Sequence, residues 1–405
     1  MRRHLEGSFS ADYLKIVELL LSTPSSLGLK PDTDRASALH LALQWPSNAY
    51  PTIHVAGSNG KGSVVGKIAK ALQHSGYRVG IYTSPHLIDF RERIAINDEL
   101  IEEAAVIAGV KELLTLSKQL QIQPTFFELT TFLAFDYFRK KQVDVAVIET
   151  GIGGRGDATN VIDPELSVIT SISHEHSDLL GEQLEQIAFE KAGIIKEGVP
   201  VVLGPNARYE SIYARAKALH SPVFISKTIS EFFDEENSAI AKLALEQLKT
   251  HFTLSEEAIT KALTHRPPCR FEVRGNVVFD VAHNKEAVFH LLQALHSFFP
   301  HRKLRFLFGI SKDKDYAACL ELIADVATHI HLVQANSSRA ASVEQLQLVL
   351  TSDLSTAHST LRKGVDQAYR EALAHDELLV VCGSFYIMSQ VQEHLEEQLV
   401  ARGVQ

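Results

Sequence analysis

The sequence predicts an α/β chain of two domains: an N-terminal domain on a parallel sheet, and a smaller C-terminal Rossmann-like α/β domain. Three observations carry this prediction. A glycine-rich run, Gly57-Ser58-Asn59-Gly60-Lys61-Gly62-Ser63, stands between a short apolar strand pattern and an amphipathic helix pattern. From residue 52 onward, Val/Ile-rich runs alternate with helical patterns. A break at His265-Arg266-Pro267-Pro268-Cys269-Arg270 then precedes a second alternation of the same kind.

In chain order, Met1–Ser22 reads as an amphipathic helix rather than a signal peptide, because Glu18 interrupts its apolar cluster. Strands are expected at Thr52–Ala56, Arg78–Thr83, Val143–Glu149, Leu166–Ile172, Val199–Leu203 and Val223–Ile225. Most lack strict polar alternation, as strands do when a parallel sheet is buried on both faces. Helices are expected at Ser63–His74, Thr130–Lys141, Leu184–Ile195, Ala239–His251 and Ser255–Thr264. Ser255 followed by Glu256 and Glu257 is a good helix start, with acids where the dipole favours them. The paired prolines remove donors and push the preceding residue toward extended geometry. Beyond them, strands are expected at Val277–Val281, Leu304–Gly309, Ile330–Gln334 and Leu378–Cys382. Helices are expected at Lys285–Phe298, Tyr316–Ala327, Ser342–Ser352 and Phe385–Gln398. The expected organisation is a nucleotide-binding domain over 1–266, a linker over 267–274 and a second domain over 275–405.

The glycine-rich run carries the first chemistry. Glycines let the backbone approach a polyphosphate, and amides at a helix N-terminus point at the anion. Lys61 is placed to reach the terminal phosphates, and the Ser63 hydroxyl to ligate Mg²⁺. Gly62 separates Lys61 from Ser63, which distinguishes the run from the usual Lys-Ser or Lys-Thr pattern. The first domain is therefore read as P-loop ATPase-like, with Gly57, Ser58, Asn59, Gly60, Lys61, Gly62 and Ser63 holding the phosphates of ATP. Glu149 ends a buried strand and is followed by Gly151, Gly153 and Gly154. A carboxylate at that end of an open α/β sheet is a candidate Mg²⁺ ligand. The competing reading is a strand-end acid that caps a nearby amide.

Composition sets mild bounds. The chain has 405 residues, 45% of them hydrophobic and 22% charged, which are ordinary globular values. A net charge of -9 gives no basic footprint for nucleic acid or an anionic membrane. Cys269, Cys319 and Cys382 are far apart, without metal spacing, which suits a reducing compartment. No window reaches the length of a membrane span. The protein is therefore read as cytoplasmic, with no nucleic-acid or membrane partner and as a monomer. His174 and His176 lack a third or fourth ligand at a recognisable spacing, which argues against zinc. Lys191, taken alone, reads as a solvated helix lysine.

Seven segments, in order, resemble one known family. They are GSNGKGS (Gly57–Ser63), TSPHL (Thr83–Leu87), FFELTTFLAF (Phe126–Phe135), ETGIGGRGDATN (Glu149–Asn160), SISHEHSDLLG (Ser171–Gly181), EKAGIIK (Glu190–Lys196) and DVAHN (Asp280–Asn284). The sequence is similar to the folylpolyglutamate synthase/dihydrofolate synthase members of the Mur ligase superfamily, from about residue 52 to residue 390. The resemblance implies ADP-forming amide-bond synthesis. ATP phosphorylates a pterin-linked carboxylate, and the amine of L-glutamate attacks the acyl phosphate.

It further implies that Ser84, Glu149 and His176 bind Mg²⁺ and that Lys191 is carbamylated, orienting a second Mg²⁺. Arg270, Asp280, His283 and Asn284 would hold the nucleotide, and Ser384 would lie near nucleotide and glutamate. Lys61, Lys191 and His283 would be catalytic. Closing a cleft between two domains would protect an acyl phosphate from water, with His265–Arg270 as hinge. The acid would be dihydropteroate, tetrahydrofolate or both. Phe126 and Phe127, just before an expected helix start, would offer the pterin an aromatic surface. Arg155 and Asp157 would offer it charged contacts. Glu175 stands where the family commonly has Asp, Cys269 and Val281 replace usual glycines, and Lys285 replaces a usual proline. The alternatives are another Mur-type amino-acid ligase and a non-ligating P-loop switch. The former usually carries an extra N-terminal UDP-sugar domain, for which a phosphate loop starting at residue 57 leaves too little chain.

Overall fold

The computed structural model describes residues 9–24, 33–337, 339–350 and 353–401, with the side chains of 177 and 397–401 excepted. Part of the expected N-terminal helix, and the end of Ser342–Ser352, lie outside these residues. The chain divides into two compact units: one of residues 1–173, 177–228 and 236–265, the other of 174–176, 229–235 and 266–405.

The first unit holds an eight-stranded sheet of β1 (Thr52–Ala56), β2 (Val79–Tyr82), β3 (Ile94–Ile96), β4 (Glu99–Leu100), β5 (Val145–Glu149), β6 (Leu166–Ile169), β7 (Val201–Leu203) and β8 (Val223–Ile225), ordered β4-β3-β2-β5-β1-β6-β7-β8. Pairing is parallel except at the β2–β3–β4 edge, which is antiparallel. Strand β5 shows why its apolar run is continuous. Val145 and Val147 join one core, with Val64, Ile68 and Leu72 of the helix Lys61–His74. Ala146 and Ile148 join the opposite core, with Phe132, Phe135 and Phe138 of the helix Phe126–Lys140. Side chains alternate faces along a strand, so a strand covered on both faces needs apolar residues throughout.

Three differences from the sequence reading matter for the site. The helix expected from Thr130 begins at Phe126, where Thr125 Oγ1 accepts from the Glu128 amide and the Glu128 carboxylate accepts from the Thr125 amide. Phe126 and Phe127 are therefore the first helical residues. The expected strand Leu166–Ile172 stops at Ile169, and the polar residues after it turn onto the phosphate loop. The hairpin β3–β4 and the helix Glu103–Gln119 were not foreseen.

The second unit holds β9 (Glu272–Arg274), β10 (Val277–Phe279), β11 (Leu304–Phe308), β12 (Ala327–Leu332), β13 (Ser355–Ala357) and β14 (Leu378–Cys382), ordered β13-β12-β11-β14-β10-β9. Strand β9 pairs antiparallel with β10 and the other pairs are parallel. Glu272–Arg274, expected within the linker, is thus an edge strand of this sheet. The helix expected over Ser342–Ser352 is confined to Val343–Gln347. Helix Leu361–Ala374, unforeseen, is capped by Thr360 and buries Val365, Ala368 and Ala372.

Candidate active site

The phosphate loop is shaped by contacts that only glycine permits. Gly57 has φ 148°, and a Cβ there would lie 1.9 Å from Thr170 Oγ1. Gly60, in the left-handed region at φ 85°, would place a Cβ 2.2 Å from Asn237 Oδ1. Residues after β6 hold the loop. The Ser58 amide donates to Ser171 O (2.9 Å), the Asn59 amide to Ser171 Oγ (2.9 Å), and Thr170 Oγ1 to Asn59 O (2.6 Å). Ser58 Oγ donates to Ser173 O and accepts from the Ser173 amide. Thr170 and Asn237 are not among the residues the sequence singles out, and Ser171 and Ser173 lie in the Ser171–Gly181 segment without an expected role. The serines and threonine of Thr170-Ser171-Ile172-Ser173 at a strand end were the available signal.

The helix starts at Lys61, leaving its first amides unpaired within the helix and available to an anion. Lys61 Nζ folds back on Gly57 O (2.8 Å) and Ser58 O (3.2 Å). Ser63 is buried in the first turn.

Glu149 ends β5 beside this loop, with 3% exposure. Its Oε2 accepts from the Ser84 amide at 3.2 Å and lies 3.6 Å from where a Cβ on Gly62 would stand. The carboxylate caps an amide, as the competing reading has it, and also faces the phosphate loop. A hard oxygen donor beside a phosphate site fits Mg²⁺ chemistry. His176 groups with the second unit, at φ 45°, with Nε2 3.4 Å from Lys314 Nζ. Among the described residues, no three of His, Cys, Asp and Glu cluster as a metal site.

The loop after Glu149 ties β5 to the helix Leu184–Ala192. A Cβ on Gly154 would meet Glu190 O and Lys191 O at 2.9 Å each. Arg155 pairs with Glu190 (Nη2–Oε1 2.8 Å), and its amide donates to Glu190 O. Lys191 is 1% exposed, which overturns its reading as a solvated lysine. Asp157 turns inward: Oδ2 accepts from the Gly151 and Ile152 amides (2.9 Å each), and Oδ1 from Thr159 N (3.0 Å) and Thr159 Oγ1 (2.5 Å). Its own loop, not an open face, takes both carboxylate oxygens. Burial raises its pKa above the ordinary carboxyl value, against these donors. Phe127 packs on Gly151, where a Cβ would lie 2.5 Å from its ring, and on Tyr82. Phe126 lies edge-on to Phe90 under the Arg93 guanidinium, 5.0 Å from the ring centre.

In the second unit, buried Asp280 accepts from the Phe271 amide (2.7 Å) and the Ala282 amide (2.8 Å). Burial pushes its pKa up to about 6, opposed by Arg270. His283 Nδ1 lies 2.8 Å from Val281 O, its ring against Phe385, and burial lowers its pKa to about 4. Arg270 stacks 4.9 Å from the Phe385 ring centre. Asn284 caps the helix Lys285–Phe298 through the Ala287 amide, and Ser384 Oγ accepts from Tyr386 N. Cys269 and Val281 are buried, at 0% and 1% exposure. Gln392 Nε2 donates to Cys269 Sγ at 3.2 Å.

A glycine-shaped phosphate loop on a doubly covered sheet, with a carboxylate at the next strand end, defines a nucleotide-handling P-loop protein. Residues 55–264 match the Mur ligase middle domain, and residues 269–385 the Mur ligase glutamate ligase domain. The chain is 33% identical to dihydrofolate synthase/folylpolyglutamate synthase of Bacillus subtilis, over 91% of this chain and 96% of that protein. It is 34% identical to folylpolyglutamate synthase of Lacticaseibacillus casei, over 95% and 99% respectively. Among solved structures it superposes on Escherichia coli FolC in complex with DHPP and ADP with a TM-score of 0.86. That match has 28% identity and covers 95% of this chain and 98% of the other. A bifunctional folylpolyglutamate synthase/dihydrofolate synthase with Mn, AMPPNP and L-glutamate bound gives a TM-score of 0.83 at 28% identity, covering 95% and 98%. The chain therefore belongs to the Mur ligase family of ATP-dependent ligases. Within that family it falls in the folylpolyglutamate synthase/dihydrofolate synthase branch.

Proposed function

We propose that the protein joins L-glutamate to a pteroate-type acid at the expense of ATP, acting on both dihydropteroate and reduced folates such as tetrahydrofolate. A carboxylate oxygen of the acid takes the γ-phosphoryl group, releasing ADP. The glutamate amine then attacks the acyl carbon, phosphate leaves, and the nitrogen loses a proton. The observation that carries this reading is the Gly57–Ser63 loop facing Glu149 at the head of the helix Lys61–His74.

The loop amides and Lys61 hold and neutralise the phosphates, a preorganised electrostatic role. Mg²⁺, two ions on this reading, would be held by Ser84, Glu149 and His176 and would supply further charge neutralisation. Lys191 as a carbamate, formed when its free amine attacks CO₂ and sheds a proton, would present an anion at the second ion. Its near-complete burial supports a role other than solvation. Phe126, Phe127, Arg155 and the Asp157 loop would border the pterin. Arg270, Asp280, His283 and Asn284 would contact the nucleotide, and Ser384 would lie close to nucleotide and glutamate. The domain scheme of 1–266, 267–274 and 275–405 is retained as the functional division, except that Glu272–Arg274 belongs to the second sheet. The three cysteines are buried and form no disulfide, which supports a cytoplasmic setting, and the enzyme is proposed to act as a monomer.

The test is turnover with dihydropteroate and tetrahydrofolate supplied separately. Both should be glutamylated. Extension of tetrahydrofolate with no reaction of dihydropteroate would leave a folylpolyglutamate synthase alone.

A further inference from the structure

His54 lies in β1, the strand that leads into the phosphate loop, and is 0% exposed. Its Nε2 is 2.8 Å from Thr159 Oγ1. That hydroxyl has one proton, and it goes to Asp157 Oδ1 at 2.5 Å. Asp157 is acceptor-only here, because three backbone amides (Gly151, Ile152 and Thr159) also point at its oxygens. Thr159 must then accept from His54, so the His54 proton sits on Nε2 and Nδ1 is bare. The structure agrees from the other side: Nδ1 is buried with no hydrogen-bond partner among the described residues. A lone pair without a donor is tolerable there, whereas a buried N–H without an acceptor is rarely seen. Burial, with Lys196 adding to it, lowers the His54 pKa to about 3, which keeps the ring neutral.

We propose that His54 is a positioning residue: through Thr159 and Asp157 it forms a one-way donor chain that fixes the Gly151–Asp157 loop relative to the strand carrying the phosphate loop. The order of donors is His54 Nε2–H to Thr159, Thr159 O–H to Asp157, and the Gly151 and Ile152 amides to Asp157 from the far end. The fixed loop lies between Glu149 and the helix bearing Lys191. Its effect on turnover rests on the reading that this loop borders the pteroate-type acid, but the donor chain itself does not.

Two measurements on the full chain need no turnover. In the ¹⁵N spectrum of histidine-labelled protein at neutral pH, the signals lost in His54→Gln should show a protonated Nε2 and a bare Nδ1. A protonated Nδ1, or a ring charged at both nitrogens, would overturn the proposal. Amide exchange of residues 151–157 should rise about tenfold in His54→Leu, which deletes the donor, and stay near wild type in His54→Gln, which can keep it. Equal exchange in both variants would also overturn it.

Kinetics then give the consequence. His54→Leu should raise the KM for the pteroate-type acid about tenfold while the KM for ATP stays within about twofold, and His54→Gln should restore the former. If wild-type protein glutamylates no folate acid, the substrate reading fails, and the resonance and exchange results still decide the donor chain. If His54→Leu does not fold, Thr159→Val replaces it in both assays with the same expected effects.

Discussion

Lys61 rests its ammonium on the carbonyls of Gly57 and Ser58, waiting at the position where phosphate charge would arrive. Lys61→Ala should lower turnover by roughly 10²–10³-fold with the fold intact, measured as kcat beside a circular dichroism spectrum. Near-normal turnover would remove the loop from catalysis. Lys191 is buried in the last turn of its helix. Lys191→Ala should be severely impaired and partly rescued by added acetate or formate. Full activity without rescue would reduce Lys191 to a packing residue. At this scale the sequence disclosed residue types better than directions. The Gly57–Ser63 spacing points to a phosphate site because the glycines, lysine and serine it needs are contiguous in the chain. The inward turn of Asp157 depends on amides at Gly151 and Ile152 meeting it in three dimensions, and its spacing alone was equally compatible with an outward carboxylate.

The helix Lys61–His74 links the phosphate loop to the chain before the linker. Lys67, 0% exposed, donates from Nζ to Leu263 O (2.6 Å) and His265 O (2.9 Å), at the C-terminal end of the helix Glu256–Leu263. A cation there meets the negative end of the helix dipole and satisfies terminal carbonyls. Lys67→Met would leave those acceptors buried, at a cost of about 2 kcal/mol, and should lower the thermal midpoint by several degrees. An unchanged midpoint would show that the carbonyls find other donors at no cost. Strands with long Val/Ile runs were legible because burial on both faces writes itself into every residue. The helix Glu103–Gln119 was not, because Glu102 offers no side-chain cap and apolar residues lie around much of its circumference. The late start assigned to Phe126–Lys140 had a remedy in the sequence: Thr125 and Glu128 have capping-box spacing.

Across the whole molecule, stability is tied to histidines held neutral by burial. His54 and His331 are lowered to about 3, and His40 to about 4, from an ordinary 6.5. The unfolded chain binds protons at these sites below about pH 6.5, and the folded chain does not until about pH 3–4. Their contribution is therefore fully present above 6.5 and is lost as pH falls through that window, by up to about 1.4 kcal/mol per pH unit for each group. Asp280, raised to about 6, works oppositely, since the folded state keeps its proton longer than the unfolded chain. With His86 lowered to about 3 and His283 to about 4, five such histidines stand against two carboxyls raised by burial, Asp157 and Asp280, and set the net sign. Urea midpoints should match at pH 7 and 8 and fall progressively at pH 6, 5 and 4.5. A midpoint constant to pH 4.5 would show that these rings are not neutral in the folded state.

The two-unit architecture was legible from the proline break and the restart of alternation, whereas the edge strand Glu272–Arg274 was too short and charged to read as one. On the function proposed above, ATP cleavage serves glutamate ligation. The most direct test is ADP release by the purified protein with the pteroate-type acid and L-glutamate each supplied or withheld. Sustained ADP release should require both, with one ADP formed per glutamate added. Release at the same rate when either is withheld would contradict the ligase and leave a nucleotide switch.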